Sequence, residues 1–237
     1  TGGLETVAVR MPEREEARRL IALAGVPVAA PSANLSGRPS PTTAQHVWQD
    51  LNGRIEMILD GGPVGIGLES TIVDVSGQTP VLLRPGAVTL EMLQEVAAGV
   101  EVDPAIQGIP GENIRPKAPG MKYRHYAPRA EMTLVEGEMA AVVRLINRLA
   151  EERERNGSRV GVICTEETKG QYDRGIVRSV GSRSQEETIA HNLFAVLREF
   201  DDLGVDYIYS EEFPQKRLGY AIMNRMKKAA GYREIQA

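Results

Sequence analysis

Cysteine is almost absent from this sequence. Cys164 is the single one among 237 residues, so no disulfide can form within the chain. Its thiol closes the apolar run Val160-Gly161-Val162-Ile163-Cys164, where it is expected to be buried and inert, and a reducing, cytoplasmic setting fits. Histidine is scarce too: His46, His125 and His191 stand far apart without Cys, His or Asp companions at metal spacing, which argues against a transition-metal site. Neither sign of charge dominates, since 28 Lys and Arg face 32 Asp and Glu for a net charge of -4, so no global basic field draws the chain to nucleic acid. The longest uncharged stretch, Leu20 to Gly37, is interrupted by Pro27, Pro31, Ser32, Asn34 and Ser36, which excludes a membrane helix. No signal peptide is seen, so the sequons at Asn34 and Asn156 are chance matches. No Gly-Lys-Ser/Thr follows the glycine run Gly61 to Gly67, which speaks against a phosphate-binding P-loop. No Ser/His/Asp arrangement is specified, so covalent catalysis has no candidate residue.

What is present is an ordinary globular composition, 42% hydrophobic and 25% charged. Alternation and β-rich runs predict strands over 4–10, 26–30, 55–59, 70–75 and 80–83, the last two joined by Ser76-Gly77-Gln78-Thr79. Helical spacing predicts helices over 13–24, from a cap at Thr42 or Thr43 to Gly53, and from the cap Thr89 to Val96. Strands over 4–83 supply only part of one sheet, so apolar faces there are expected to stand uncovered. The chain opens on Thr1-Gly2-Gly3 directly before a strand, which suggests a beginning in mid-domain. From Ala98 to Pro128 prolines and glycines recur without apolar period, and this is read as a linker or lid. Beyond it, strands over 132–135, 159–165, 176–180 and 207–210 alternate with helices over 139–155, 185–203 and 218–230. The fold class expected is α/β: a catalytic-type portion over 1–98, a linker over 99–128, and a small doubly wound, mostly parallel domain over 129–237.

Several segments carry polar chemistry. Pro31 to Pro41 follows an apolar strand with a crowd of short donors and acceptors, the place where α/β sheets bind ligands, although a solvated turn explains it as well. Glu69-Ser70-Thr71 sets hydroxyls at a strand start, and Arg84 stands at a strand end before Pro85-Gly86; such an arginine clamps a phosphate or carboxylate, or simply forms a surface ion pair. Arg115, Lys117, Lys122, Arg124 and Arg129 interleave with Tyr123, His125 and Tyr126, a composition suited to stacking on a base while neutralising phosphate.

Taken together, VPVAAPSANLSGRPSPT, GLESTIVD, LLRPGAV, PGMKYRHYAP and LGYAIMNRMKKAAG resemble the long form of L-threonylcarbamoyladenylate synthase, a YrdC-like catalytic domain joined by a linker to a smaller α/β domain. The resemblance implies ATP-dependent condensation of L-threonine and bicarbonate to threonylcarbamoyladenylate plus pyrophosphate, the first step towards N6-threonylcarbamoyladenosine at tRNA position 37. It implies that Thr6, Ser32, Ser40, Arg84 and Tyr123 contact ATP, with Asn34 a helper. Arg10, the backbone of Ala30 and Ser70 would hold threonine, Arg10 meeting its carboxylate. Mg²⁺ accompanies ATP, the protein supplies positioning and charge rather than a nucleophile, and PGMKYRHYAP folds over the nucleotide as a lid. A downstream threonylcarbamoyl transferase machinery takes the product; the implied setting is the cytoplasm, with no membrane partner. Family members begin with roughly a further hundred residues, about half a domain, that carry a lysine/arginine motif for ATP. This stretch is therefore expected to be the C-terminal portion of such an enzyme and inactive by itself. A second class stays open on the residues: a noncatalytic RNA- or nucleotide-binding module, with weak RNA binding through the basic 114–130 stretch.

Overall fold

The structure is a computed structural model and describes residues 5–106 and 126–237. In the first stretch, helix α1 (Glu15–Ala24) ends where Gly25 turns left-handed at φ 65° and its N–H bonds the Ile21 carbonyl at 3.2 Å. Helix α2 (Ala44–Leu51) starts at Thr43, whose hydroxyl accepts the His46 N–H at 3.3 Å, and α3 (Leu90–Val96) starts at Thr89 in the same way. Strand β1 (Ile72–Asp74) pairs antiparallel with β2 (Val81–Arg84), and β2 pairs parallel with the short β3 (Glu101–Val102), which the sequence reading did not include. The β1–β2 turn is fixed by Asp74, whose carboxylate accepts from the Ser76 N–H at 2.9 Å and its hydroxyl at 2.6 Å.

The strands expected over 4–10, 26–30 and 55–59 are not strands here. Described residues 5–10, 26–30 and 55–59 lie outside the paired strands, and a strand exists only as part of a hydrogen-bonded ladder. Apolar side chains in these runs stand exposed, Val9 90% and Met57 81%, but on chain outside any ladder rather than on the face of a sheet.

The second stretch has its own core. Strands β4 (Glu131–Glu136), β5 (Val160–Cys164), β6 (Ile176–Ser179), β7 (Tyr207–Glu211) and β8 (Glu234–Gln236) form an all-parallel sheet in the order β6-β5-β7-β4-β8. β8 adds an edge strand beyond the expected four. Helix α4 (Met139–Arg155) covers one face with Val142, Val143, Ile146 and Ala150, a stripe at helical spacing packed on Val160, Val162 and Cys164. Helices α5 (Glu186–Leu203) and α6 (Leu218–Ala229) cover the other through Leu193, Phe194, Leu197, Ile222 and Met226, against Met132, Leu134 and Ile208. Helices on both faces of a parallel sheet make this the doubly wound unit that alternating strands and helices imply. Cys164 is fully buried and burial pushes its thiol up to about 12, so it is inert. Among the described residues no helix is long and apolar enough to cross a membrane.

The two parts are packed together. Leu68 and Tyr126 enter the α5–α6 core, and the His191 ring bonds the Gly65 carbonyl at 2.9 Å. Gly67 lies so close to α5 that a Cβ there would fall 2.5 Å from the His191 carbonyl oxygen. The glycine run thus serves as a docking segment against α5.

Candidate functional site

Ser40, Ser70 and Arg84, which the sequence spreads over three motifs, meet around Glu69. The Ser40 hydroxyl donates to one Glu69 carboxylate oxygen, and Arg225 of α6 donates from Nε to the other at 2.8 Å. Burial would lift the Glu69 carboxyl, but the Arg225 charge and the Ser40 hydrogen bond outweigh it and hold the group below the usual carboxylate range. Arg225 also donates to the Glu69 backbone carbonyl at 3.2 Å, so it fixes backbone and side chain of one residue. One position further on, the Ser70 carbonyl accepts from Arg84 Nε at 2.9 Å.

Arg84 is not a surface ion pair. It is buried at the end of β2, and its guanidinium also bonds the Tyr126 hydroxyl. Burial and the neighbouring Arg225 lower its proton affinity. Tyr126 holds a left-handed backbone at φ 65°, uncommon for a bulky residue, while its ring stacks on Phe194 at 5.4 Å and lies under the Arg225 guanidinium at 5.7 Å. Lys228, one turn beyond Arg225, is buried in the same place, and burial with the charges of Arg225 and Arg84 brings its ammonium down to about 8. Arg84, Arg225 and Lys228 thus gather beside Glu69, an arrangement of charge that suits an anionic ligand.

The loop 31–41 is held from beneath by Asp50. Its carboxylate accepts from the Leu35 N–H at 3.2 Å, from Arg38 at 2.5 Å and from Arg198 of α5 at 2.8 Å, and Arg198 also donates to the Pro39 carbonyl at 2.7 Å. Burial would raise the Asp50 carboxyl, yet Arg198, the Leu35 N–H and Arg38 keep it below its ordinary value. Asn34 braces the loop internally, its amide donating to the Leu35 carbonyl at 2.9 Å and the Arg38 carbonyl at 3.2 Å, while the Ser32 carbonyl accepts the Asn34 N–H at 3.0 Å. The Ser32 side chain is left at the surface.

Arg10 and Ala30, both read as threonine contacts, also meet: Arg10 Nη2 donates to the Ala30 carbonyl at 2.9 Å. Thr6 is exposed, and among the described residues no hydrogen bond brings it to the others. Tyr123, and with it the lid reading of residues up to His125, lies outside the described residues. Residues the sequence reading passed over are Glu69, Asp50, Arg198, Arg225 and Lys228. Glu69, Arg225 and Lys228 stood inside quoted motifs, whereas a carboxylate in α2 and an arginine in α5 carry no signal that separates them from surface charge. Among the described residues no three His, Cys, Asp or Glu gather as a metal-binding group, and Glu69 and Asp50 are engaged by arginines.

Comparison with known proteins bears on this geometry. A family model described as "Threonylcarbamoyl-AMP synthase, C-terminal domain" matches residues 88–231, and one described as "Telomere recombination" matches residues 1–86. The threonylcarbamoyl-AMP synthases of Bacillus subtilis and Pyrococcus abyssi are each 50% identical over the whole of this chain, which spans 66% and 67% of their lengths. That of Schizosaccharomyces pombe is 41% identical over 97% of this chain and 58% of its own. The crystal structure of P. abyssi Sua5 complexed with L-threonine superposes with a TM-score of 0.91 at 48% identity, covering all of this chain and 67% of that one, so the α/β fold is shared. The chain belongs to the threonylcarbamoyl-AMP synthase family.

Proposed function

We propose that this protein makes threonylcarbamoyl-AMP from L-threonine, bicarbonate and ATP, releasing pyrophosphate, as the first step towards N6-threonylcarbamoyladenosine at position 37 of tRNA. The observation that carries the reading is the meeting of Ser40, Ser70 and Arg84 at Glu69, beside Arg225 and Lys228, in a chain 50% identical over its length to named synthases. On this reading the threonine nitrogen takes up bicarbonate with loss of water. The resulting carbamate oxygen attacks the α-phosphorus of ATP, the bond to the β-phosphate oxygen breaks, and pyrophosphate leaves. Ser32, Ser40 and Arg84, with Thr6, Asn34 and Tyr123, face the nucleotide; Arg10, Ala30 and Ser70 face threonine. Mg²⁺ enters as the counter-ion of the substrate ATP, and no step is assigned to a metal held by Glu69 or Asp50. A downstream transferase carries the product to tRNA in the cytoplasm, where a lone thiol such as Cys164 stays reduced. The test is pyrophosphate release by the full-length protein, expected only when threonine, bicarbonate and ATP are all present. Release that is indifferent to threonine would overturn the reading.

Arg84→Ala is expected to weaken ATP binding by about 1.5–3 kcal/mol, the range of a charge-assisted hydrogen bond. Arg84→Lys should recover little, because an ammonium cannot reproduce the guanidinium's directed contacts to the Ser70 carbonyl and Tyr126. Wild-type affinity for Arg84→Ala in a nucleotide titration would remove Arg84 from the site.

Lys228 gives a pH signature. Its folded value of about 8 lies below its ordinary 10.5, so the charged form is disfavoured and stability should rise with pH across that window as this cost is relieved. A nucleotide anion nearby favours the ammonium and moves the value back up. ATP binding above the folded value should therefore take up protons, and well below it should not. Calorimetry in two buffers of different ionisation heat reads the uptake; equal heats above that value would place the phosphates away from Lys228.

A further inference from the structure

Among the described residues, the two bulkiest fully buried side chains are arginines, Arg198 and Arg225. Both belong to the small domain, and both direct their guanidinium ion pairs across to the first part of the chain. A buried guanidinium is tolerated only when paired, and well-packed apolar side chains of similar volume hold an interface as well or better. Cohesion alone therefore gives a weak account of an arginine here. What a guanidinium fork adds is direction.

At Glu69 the direction has a chemical consequence. Arg225 occupies Oε2 and keeps the carboxylate ionised, so Oε1 can only accept, and the Ser40 hydroxyl must be the donor. With its one hydrogen turned to Glu69, Ser40 presents lone pairs to whatever lies on its other side. A ligand group meeting it must itself donate, as a ribose hydroxyl or a base amino group does and a phosphate oxygen does not. Arg225 also holds the Glu69 carbonyl, and the next carbonyl, Ser70, receives Arg84. One arginine thereby fixes the hydroxyl orientation of Ser40 and the backbone that Arg84 grips.

We propose that Arg225 is a positioning residue for the nucleotide site, acting through Glu69 on Ser40, so that helix α6 of the small domain sets the geometry of a site formed by the other part of the chain. This rests on the activity proposed above.

The test is a double-mutant cycle in the full-length protein, with Arg225→Lys, Ser40→Ala and the pair combined, each checked for folding by circular dichroism. An ammonium cannot hold the Glu69 carboxylate and carbonyl together, so each single variant is expected to raise the KM for ATP about tenfold, the size of one charge-assisted hydrogen bond, with kcat changed much less. The combined variant should be no worse than the worse single one, because both changes remove the same contact. Multiplying fold-changes, or a folded Arg225→Lys with wild-type KM, would overturn the proposal. Should Arg225→Lys fail to fold, Glu69→Gln takes its place in the cycle under the same criterion, since it keeps the size of the side chain and removes the charge. If the wild-type protein releases no pyrophosphate, the activity reading fails on its own, and equilibrium ATP affinity reads the same cycle: coupled losses support positioning, independent losses or no ATP binding overturn it.

Discussion

Asp50→Ala is expected to cost about 3–5 kcal/mol, the loss typical of removing one partner from a buried ion pair. The Asp50 side chain is fully buried, and Arg198 opposite is 1% exposed, so after substitution the guanidinium keeps, among the described residues, the Pro39 carbonyl as a hydrogen-bond partner while its charge stays in the core. The Leu35 N–H and Arg38 lose their acceptor at the same time, which frees the loop that carries Ser32, Asn34 and Ser40. Urea unfolding should report the loss, and hydrogen exchange at the Leu35 amide should rise with it. Replacing both buried partners by apolar residues, Asp50→Leu with Arg198→Met, should recover the share that comes from the orphaned Arg198 charge, while the Leu35 N–H and Arg38 remain without their acceptor. The carboxyl is held below its ordinary 3.8, so the pair's contribution is complete above that value and fades as pH falls through the lowered one. A loss under about 1 kcal/mol for Asp50→Ala would match a solvated surface pair instead.

How far the sequence foretold this arrangement depends on whether the determining interactions were local. The small domain was legible because each element carries its own pattern: the stripe Val142, Val143, Ile146 and Ala150 of α4, and the unbroken apolar run Val160 to Cys164 of β5. The helix start at Thr89, and that at Thr43 to within the choice of Thr42 or Thr43, were legible for the same reason, a cap being decided within three residues. β8 was not, because Glu234-Ile235-Gln236 holds one apolar residue, too short a run to show a period, and is a strand only through pairing with β4, whose partner residues lie a hundred positions earlier in the chain. The runs at 4–10, 26–30 and 55–59 failed in the opposite sense: strand-like composition with no ladder among the described residues to join. In the site, Ser40, Ser70 and Arg84 were singled out from their motifs, but their junction at Glu69 depends on Arg225, 156 positions away, and no local pattern encodes that distance.

Gly86→Ala is expected to lower kcat/KM for ATP about a hundredfold, the penalty of moving a binding group by about 1 Å. Gly86 closes the Arg84-Pro85-Gly86 motif, and the reason for glycine is close approach. A Cβ placed there would lie 2.4 Å from the Thr71 nitrogen, 2.7 Å from the Glu69 carbonyl oxygen and 2.8 Å from the Ser70 carbonyl carbon. All three are backbone atoms, so no side chain can swing aside and the 69–71 segment itself must shift. That segment holds the Ser70 carbonyl at 2.9 Å from Arg84 Nε and carries the carboxylate shared by Ser40 and Arg225, so one methyl group separates partners on both sides. Overpacking of this kind also costs about 1–3 kcal/mol of stability. The matched control is Gly77→Ala in the β1–β2 turn, where the nearest atom to an added Cβ, the Thr79 carbonyl oxygen, is 3.9 Å away; its activity and stability should stay near wild type. Near-wild-type turnover by Gly86→Ala would mean that the Glu69–Ser70 backbone yields without consequence, and that its contacts to Arg84 and Arg225 do not set the geometry of the proposed nucleotide site.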